Sequence, residues 1–213
     1  MRLGRQTPTS SVVLPYEKSF GQDAIDLYNN IRTAQEWQRL LVTDILAYGD
    51  DNLWVHSKFG YSVPRRNGKN EIVAIIEMYA LMELGIKILH TAHRTTTGHT
   101  AWERLCSFLD EQGVEYDCTK QLGLETIKLE NGGKIAFRTR SSKGGLGEGY
   151  DLLIIDEAQE YTDDQESALK YVVSDSLNPM TIFCGTPPTN VSAGTVFQKF
   201  REKVLYGESK NAG

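Results

Sequence analysis

Residues 152–158 read Leu-Leu-Ile-Ile-Asp-Glu-Ala. Four apolar residues in succession suit a strand buried on both faces, as in a parallel sheet covered by helices. Asp156 and Glu157 then emerge at the C-terminal end of that strand, the edge at which open α/β sheets bind ligands. Adjacent carboxylates in such a place repel each other and lose hydration unless a cation accompanies them.

The complementary half lies upstream. Residues 63–70 read Val-Pro-Arg-Arg-Asn-Gly-Lys-Asn, between a strand-like segment (53–63) and an apolar helical one (IVAIIEMYALMEL, 72–84). Strand, glycine-bearing loop, lysine and helix form the context of a Walker A phosphate loop. The backbone of Pro64–Lys69, with the N–H groups of Arg65, Arg66, Asn67, Gly68 and Lys69, would curl round the phosphates of ATP, the helix N-terminus adding positive potential. Gly68 admits a close backbone approach, and Lys69 reaches the β and γ phosphates. Two positions depart from the pattern. Val63 replaces the first glycine, and Asn70 stands where Ser or Thr normally meets Mg2+, a cation its amide oxygen can also serve. On this reading Asp156 and Asn70 hold Mg2+, and Glu157 positions the water that attacks the γ-phosphorus. The long stretch between Lys69 and Asp156 has room for another strand–helix unit and a hairpin. Those features predict an α/β fold: a P-loop NTPase of the additional-strand, catalytic-Glu type, with a mainly parallel central sheet, flanking helices and a β-hairpin insertion.

The remaining segments are read around that frame. Residues 1–30 show no periodicity and are expected to form an irregular N-terminal arm, with the ATPase domain over 31–213. Thr33 and Glu36 have capping-box spacing. Trp37, Leu40, Leu41, Ile45 and Tyr48 then recur at helical spacing, up to a stop at Asp50–Asn52. Alternating stretches at 124–130 and 134–140 flank Asn131-Gly132-Gly133, a hairpin signal. A helix is expected over about 163–175, a strand at TIFCGT (181–186), and an amphipathic helix over 195–205. Trp102, Phe108 and Leu109 read as core. His90, His93 and His99 lack further ligands for a metal centre; His93 and Arg94, just past the strand IKILHTA, read as polar surface, with a DNA or nucleotide contact as the alternative.

Hydrophobic residues make up 40% and charged residues 24%, ordinary values for a globular chain. The net charge of −5 argues against bulk coating of DNA, although the basic run 134–143 could face a phosphate locally. Three scattered cysteines suggest no disulfide framework and read as reduced, intracellular thiols. No apolar run approaches a membrane span and no secretory signal is evident.

Several segments, in order, resemble a bacteriophage large terminase: EWQRLLVTDIL (36–46), SVPRRNGKN (62–70), ILHTA (88–92), the hairpin, GLGEGYDLLIIDEAQ (145–159) and FCGTPP (183–188). The resemblance runs from about Gln35 to Phe200. It implies the ATPase domain of a motor that moves double-stranded viral DNA into a procapsid. The implied partners are further copies of the chain in a ring, a portal protein and a small terminase subunit, in the host cytoplasm and away from any membrane. It also implies that Gln38 reads the adenine edge, that Arg65 contacts phosphates and that Thr186 senses the γ-phosphate. A nuclease domain of the ribonuclease H type is expected beyond this one, and none of its residues can be named here. Arg140, with Lys143 second, is expected at the rim of the site as an arginine finger acting on a neighbouring subunit. Two alternatives stay open: a helicase-like translocating ATPase, and a non-catalytic nucleotide-sensing assembly module.

Overall fold

The computed structural model describes residues 4–140, 147–207 and 209–213. In chain order the elements are β1 (Lys18–Ser19), α1 (Gly21–Asn29), α2 (Glu36–Ile45), β2 (Ala47–Tyr48), β3 (Lys58–Ser62), α3 (Lys69–Met82), β4 (Lys87–Ala92), α4 (Thr95–Glu111), β5 (Asp117–Thr119), β6 (Thr126–Lys128), β7 (Lys134–Thr139), β8 (Leu152–Asp156), α5 (Asp163–Leu169), β9 (Met180–Gly185) and α6 (Val196–Leu205). Seven strands form one sheet in the order β3-β9-β8-β4-β7-β6-β5. The run from β3 to β7 is parallel, and β6 and β5 continue it antiparallel. The hairpin expected at Asn131–Gly133 therefore extends the main sheet, with β7 as an interior strand.

β8 shows why the sheet is covered on both sides. Its alternate residues Leu152 and Ile154 join the core beneath α1–α4, whereas Leu153 and Ile155 join the core with Leu169 of α5 and Val196 and Phe197 of α6. Each of these four strand side chains, 3% exposed or less, contributes roughly 1.5–3 kcal/mol by leaving water. The same alternation delivers Asp156 to the face that carries α3. The strand–helix unit expected in sequence between the two motifs is β4 with α4, while β9, later in the chain, inserts between β3 and β8 in the sheet.

Three expectations about the N-terminal third are corrected. The stretch read as an irregular arm contains α1, with Ala24, Ile25 and Tyr28 buried against the core. α2 begins at Glu36 and not at Thr33: the backbone N–H of Gln35 donates to Gln38 Oε1 (2.9 Å), so the cap is built from Gln35 and Gln38. That helix also stops at Ile45, because the next residues pair as β2 with β1 and the Leu46 carbonyl accepts from Phe20 N–H (3.1 Å). Farther on, α5 closes at Leu169, short of 175, after a Thr162/Gln165 capping box. Among the described residues no helix is long and apolar enough to cross a membrane.

Candidate active site

β3 ends at Ser62 and α3 begins at Lys69, so the phosphate-loop sequence spans the C-terminal edge of the sheet. Gly68 is the residue before the helix and has φ 81°, a conformation that side chains other than glycine's rarely adopt. A Cβ there would lie 3.1 Å from Gln38 Nε2. The loop braces itself through Asn67, whose Nδ2 donates to the carbonyls of Pro64 (3.0 Å) and Arg65 (3.2 Å). Arg65, Arg66 and Asn67 are exposed.

Lys69 reaches across β9 to the end of β8. Its Nζ donates to Asp156 Oδ1 and to Cys184 Sγ, the latter at 3.1 Å. Burial opposes the Lys69 charge, but its acceptors, the Cys184 sulfur and the Asp156 carboxylate, more than offset it and raise the pKa. Burial would also raise the Asp156 pKa, yet the Lys69 ammonium and then His90 hold it below the usual carboxylate range. Burial pushes the Cys184 thiol up to about 12, so it stays protonated and donates weakly to Asp156 Oδ1 (3.5 Å).

Glu157 follows with φ 53° and ψ 47°, a left-handed turn in a residue with a side chain. Its carboxylate accepts from the backbone N–H of His93 (3.2 Å), while its own N–H donates to Asp156 Oδ1 (2.7 Å). The turn therefore sends two successive carboxylates to different partners at one sheet edge.

Asn70 and Asp156 line the same small cavity with Glu77, His90 and Arg104. Among the described residues no three His, Cys, Asp or Glu side chains could hold a metal together. One carboxylate and one amide do suit Mg2+, which completes its shell with water and substrate phosphates instead of an all-protein cage.

Several expected residues sit differently from the sequence reading. Gln38 is buried, and its Nε2 donates to the Gly68 carbonyl (3.3 Å). Both ends of its amide are thus engaged with its own chain. Thr186 lies just past β9, where its N–H donates to Gln159 Oε1 (3.1 Å). Sequence reasoning did not single out Gln159, although it directly follows Asp-Glu-Ala. Arg140 is not at a rim. It is only 9% exposed, and its guanidinium donates to the carbonyls of Asp156 (2.5 Å), Glu157 (3.2 Å) and Thr91 (3.4 Å) of its own chain. Lys143 lies outside the described residues.

Residues 134–140 of the basic run are bonded within the chain, and 141–143 lie outside the described residues. Lys134 pairs with Glu148 (2.5 Å), and Arg138 donates to the carbonyls of Glu125 and Phe137. His90 is buried on β4 and meets Glu77 of α3 at 2.5 Å, with Asp156 Oδ2 at 4.0 Å. Burial would lower its pKa, but the Glu77 carboxylate, and behind it Asp156, raise it. His99 pairs with Glu125 (2.7 Å) and stacks on Trp102.

By sequence the chain matches no protein-family model and no curated protein. Its fold has solved counterparts. The large terminase of bacteriophage HK97 superposes with a TM-score of 0.74 at 14% identity, over 92% of this chain and 43% of that one. The ATPase domain of the Thermus phage P74-26 large terminase gives 0.60 at 14% identity, over 81% of this chain and 71% of that one. A large terminase from another thermophilic bacteriophage gives 0.56 at 12%, over 93% of this chain and 45% of that one. The chain thus spans under half of the HK97 polypeptide and of this last one. With Lys69 and Asp156 joined across an inserted strand, it has a P-loop NTPase fold, similar to that of the part of the bacteriophage large terminases that it covers.

Proposed function

We propose that the chain hydrolyses Mg2+-ATP as the ATPase part of a large terminase, driving double-stranded viral DNA into a procapsid. The observation that carries this reading is the meeting of Lys69 and Asp156 at one sheet edge, with Glu157 directly beside them.

The roles follow from position. Residues Pro64–Lys69 cradle the phosphates, with Arg65 and Arg66 free on the loop surface and Lys69 on the β and γ oxygens. Asp156 and Asn70 would hold Mg2+, which would supply charge neutralisation on the phosphate oxygens. The partners that Lys69 and Asp156 now give each other would be exchanged for phosphate and cation. Glu157 leaves the His93 amide to accept a hydrogen bond from water. The water oxygen bonds to the γ-phosphorus as the bond to the β–γ bridging oxygen breaks, one water proton staying on the phosphate formed and the other passing by way of the Glu157 carboxylate to solvent, giving ADP and phosphate. Thr186 would sense that change and pass it to β9, a role supported by its bond to Gln159, two residues after Glu157. Assembly in a ring on the packaging machine, with a portal protein and a small terminase subunit in the host cytoplasm, belongs to the same proposal.

The test is nucleotide binding. Lys69→Ala removes the cation from a desolvated phosphate site, and equilibrium titration with Mg2+-ATP should detect no binding where the parent binds. Retention of parental affinity would contradict the assignment.

A further inference from the structure

We infer that Arg140 is a positioning residue for Glu157, acting within its own chain. The inference rests on the reading of Glu157 as the residue that orients water, and it concerns how that residue is held.

A residue's φ and ψ are rotations of its two flanking peptide planes about Cα, so a group that fixes both planes fixes its conformation. Arg140 does this with one planar guanidinium. Nη1 binds the carbonyl of Asp156, in the plane before Glu157, and Nη2 binds the carbonyl of Glu157, in the plane after it. Between them lies the left-handed turn at φ 53°, which a residue with a side chain does not hold without support. Nη1 also reaches Thr91 at the end of β4, two residues before the His93 amide that binds the Glu157 carboxylate. The guanidinium is therefore bonded both to the backbone that carries the carboxylate and to the strand end that receives it.

Arg140 is itself fixed. Its N–H donates to the Ala92 carbonyl (3.2 Å), and its Cζ lies 5.5 Å from the centre of the Tyr161 ring. A lysine could not replace it, since a single ammonium lacks the rigid fork that spans two carbonyls.

The experiment compares the parent, Arg140→Ala, Arg140→Lys and Glu157→Ala by turnover and by equilibrium ATP binding. A small misplacement of a reacting group costs about 100-fold in rate. That loss is expected in kcat for both Arg140 variants, with the Kd for ATP unchanged. Added guanidinium ion should recover part of the kcat of Arg140→Ala and none of that of Glu157→Ala. Mixing Arg140→Ala with Glu157→Ala should give no more activity than the two measured separately, because a group acting within its chain cannot be supplied by a neighbour.

Restored activity in the mixture would overturn the inference in favour of a finger acting between subunits. So would a fully active Arg140→Ala beside an inactive Glu157→Ala. If Arg140→Ala fails to fold, Arg140→Lys keeps the buried charge and decides the matter, parental kcat in it being the contrary result. A Glu157→Ala protein with parental turnover would instead defeat the underlying reading of Glu157.

Discussion

At the scale of single residues, the candidate site divides into side chains legible from sequence and side chains that only the fold explains. Lys69, Asp156 and Glu157 were legible because local sequence places them: one heads a helix after a glycine, and the others end an apolar strand. Gln38 and His90 were not, because their partners come from other elements. His90 and Glu77 are brought together when α3 packs over β4, and nothing local in either segment records that. Arg140 was expected at the rim of the site, yet β7 is an interior strand and the residue that follows it is buried. The Gln38 amide, bound to Gln35 N–H and the Gly68 carbonyl, acts here as a brace of the phosphate loop. Loss of one such hydrogen bond is worth about 0.5–1.5 kcal/mol, so Gln38→Ala should weaken ATP and inorganic tripolyphosphate alike, by roughly twofold to tenfold in Kd. A loss confined to ATP would show that Gln38 reads adenine instead.

At the scale of elements, the long apolar and alternating stretches were read correctly and the short ones were missed. β8, β9, α3 and the hairpin carry enough repeated pattern to specify themselves. α1 does not: it has nine residues, and of its apolar face Ala24, Ile25 and Tyr28 are fully buried. It is stabilised by α2 and α3, since a helix of that length is marginal alone. β5 is short and exposed along its length, so it carries no hydrophobic alternation to detect. The burial of α1 makes a definite prediction. Ile25 is 1% exposed, and truncating such a side chain costs about 2–5 kcal/mol. Denaturant unfolding of Ile25→Ala should show that loss, whereas an irregular arm would lose almost nothing.

At the scale of the whole molecule, the strand order explains why distant segments make one site. Inserting β9 between β3 and β8 spaces the phosphate loop from the acidic pair by the reach of a lysine side chain. It also sets Cys184 and Thr186 beside them. Both halves thereby sit on one sheet edge, coupled through Gln159 to the strand between. The central claim is that this edge turns over ATP with Glu157 acting on the attacking water. Steady-state phosphate release by the parent and by Glu157→Ala, at saturating Mg2+-ATP and with binding measured in parallel, tests it most directly. Removal of a group that positions the nucleophile should lower turnover by at least about 100-fold while ATP still binds; an alanine variant that releases phosphate at the parental rate would contradict the account.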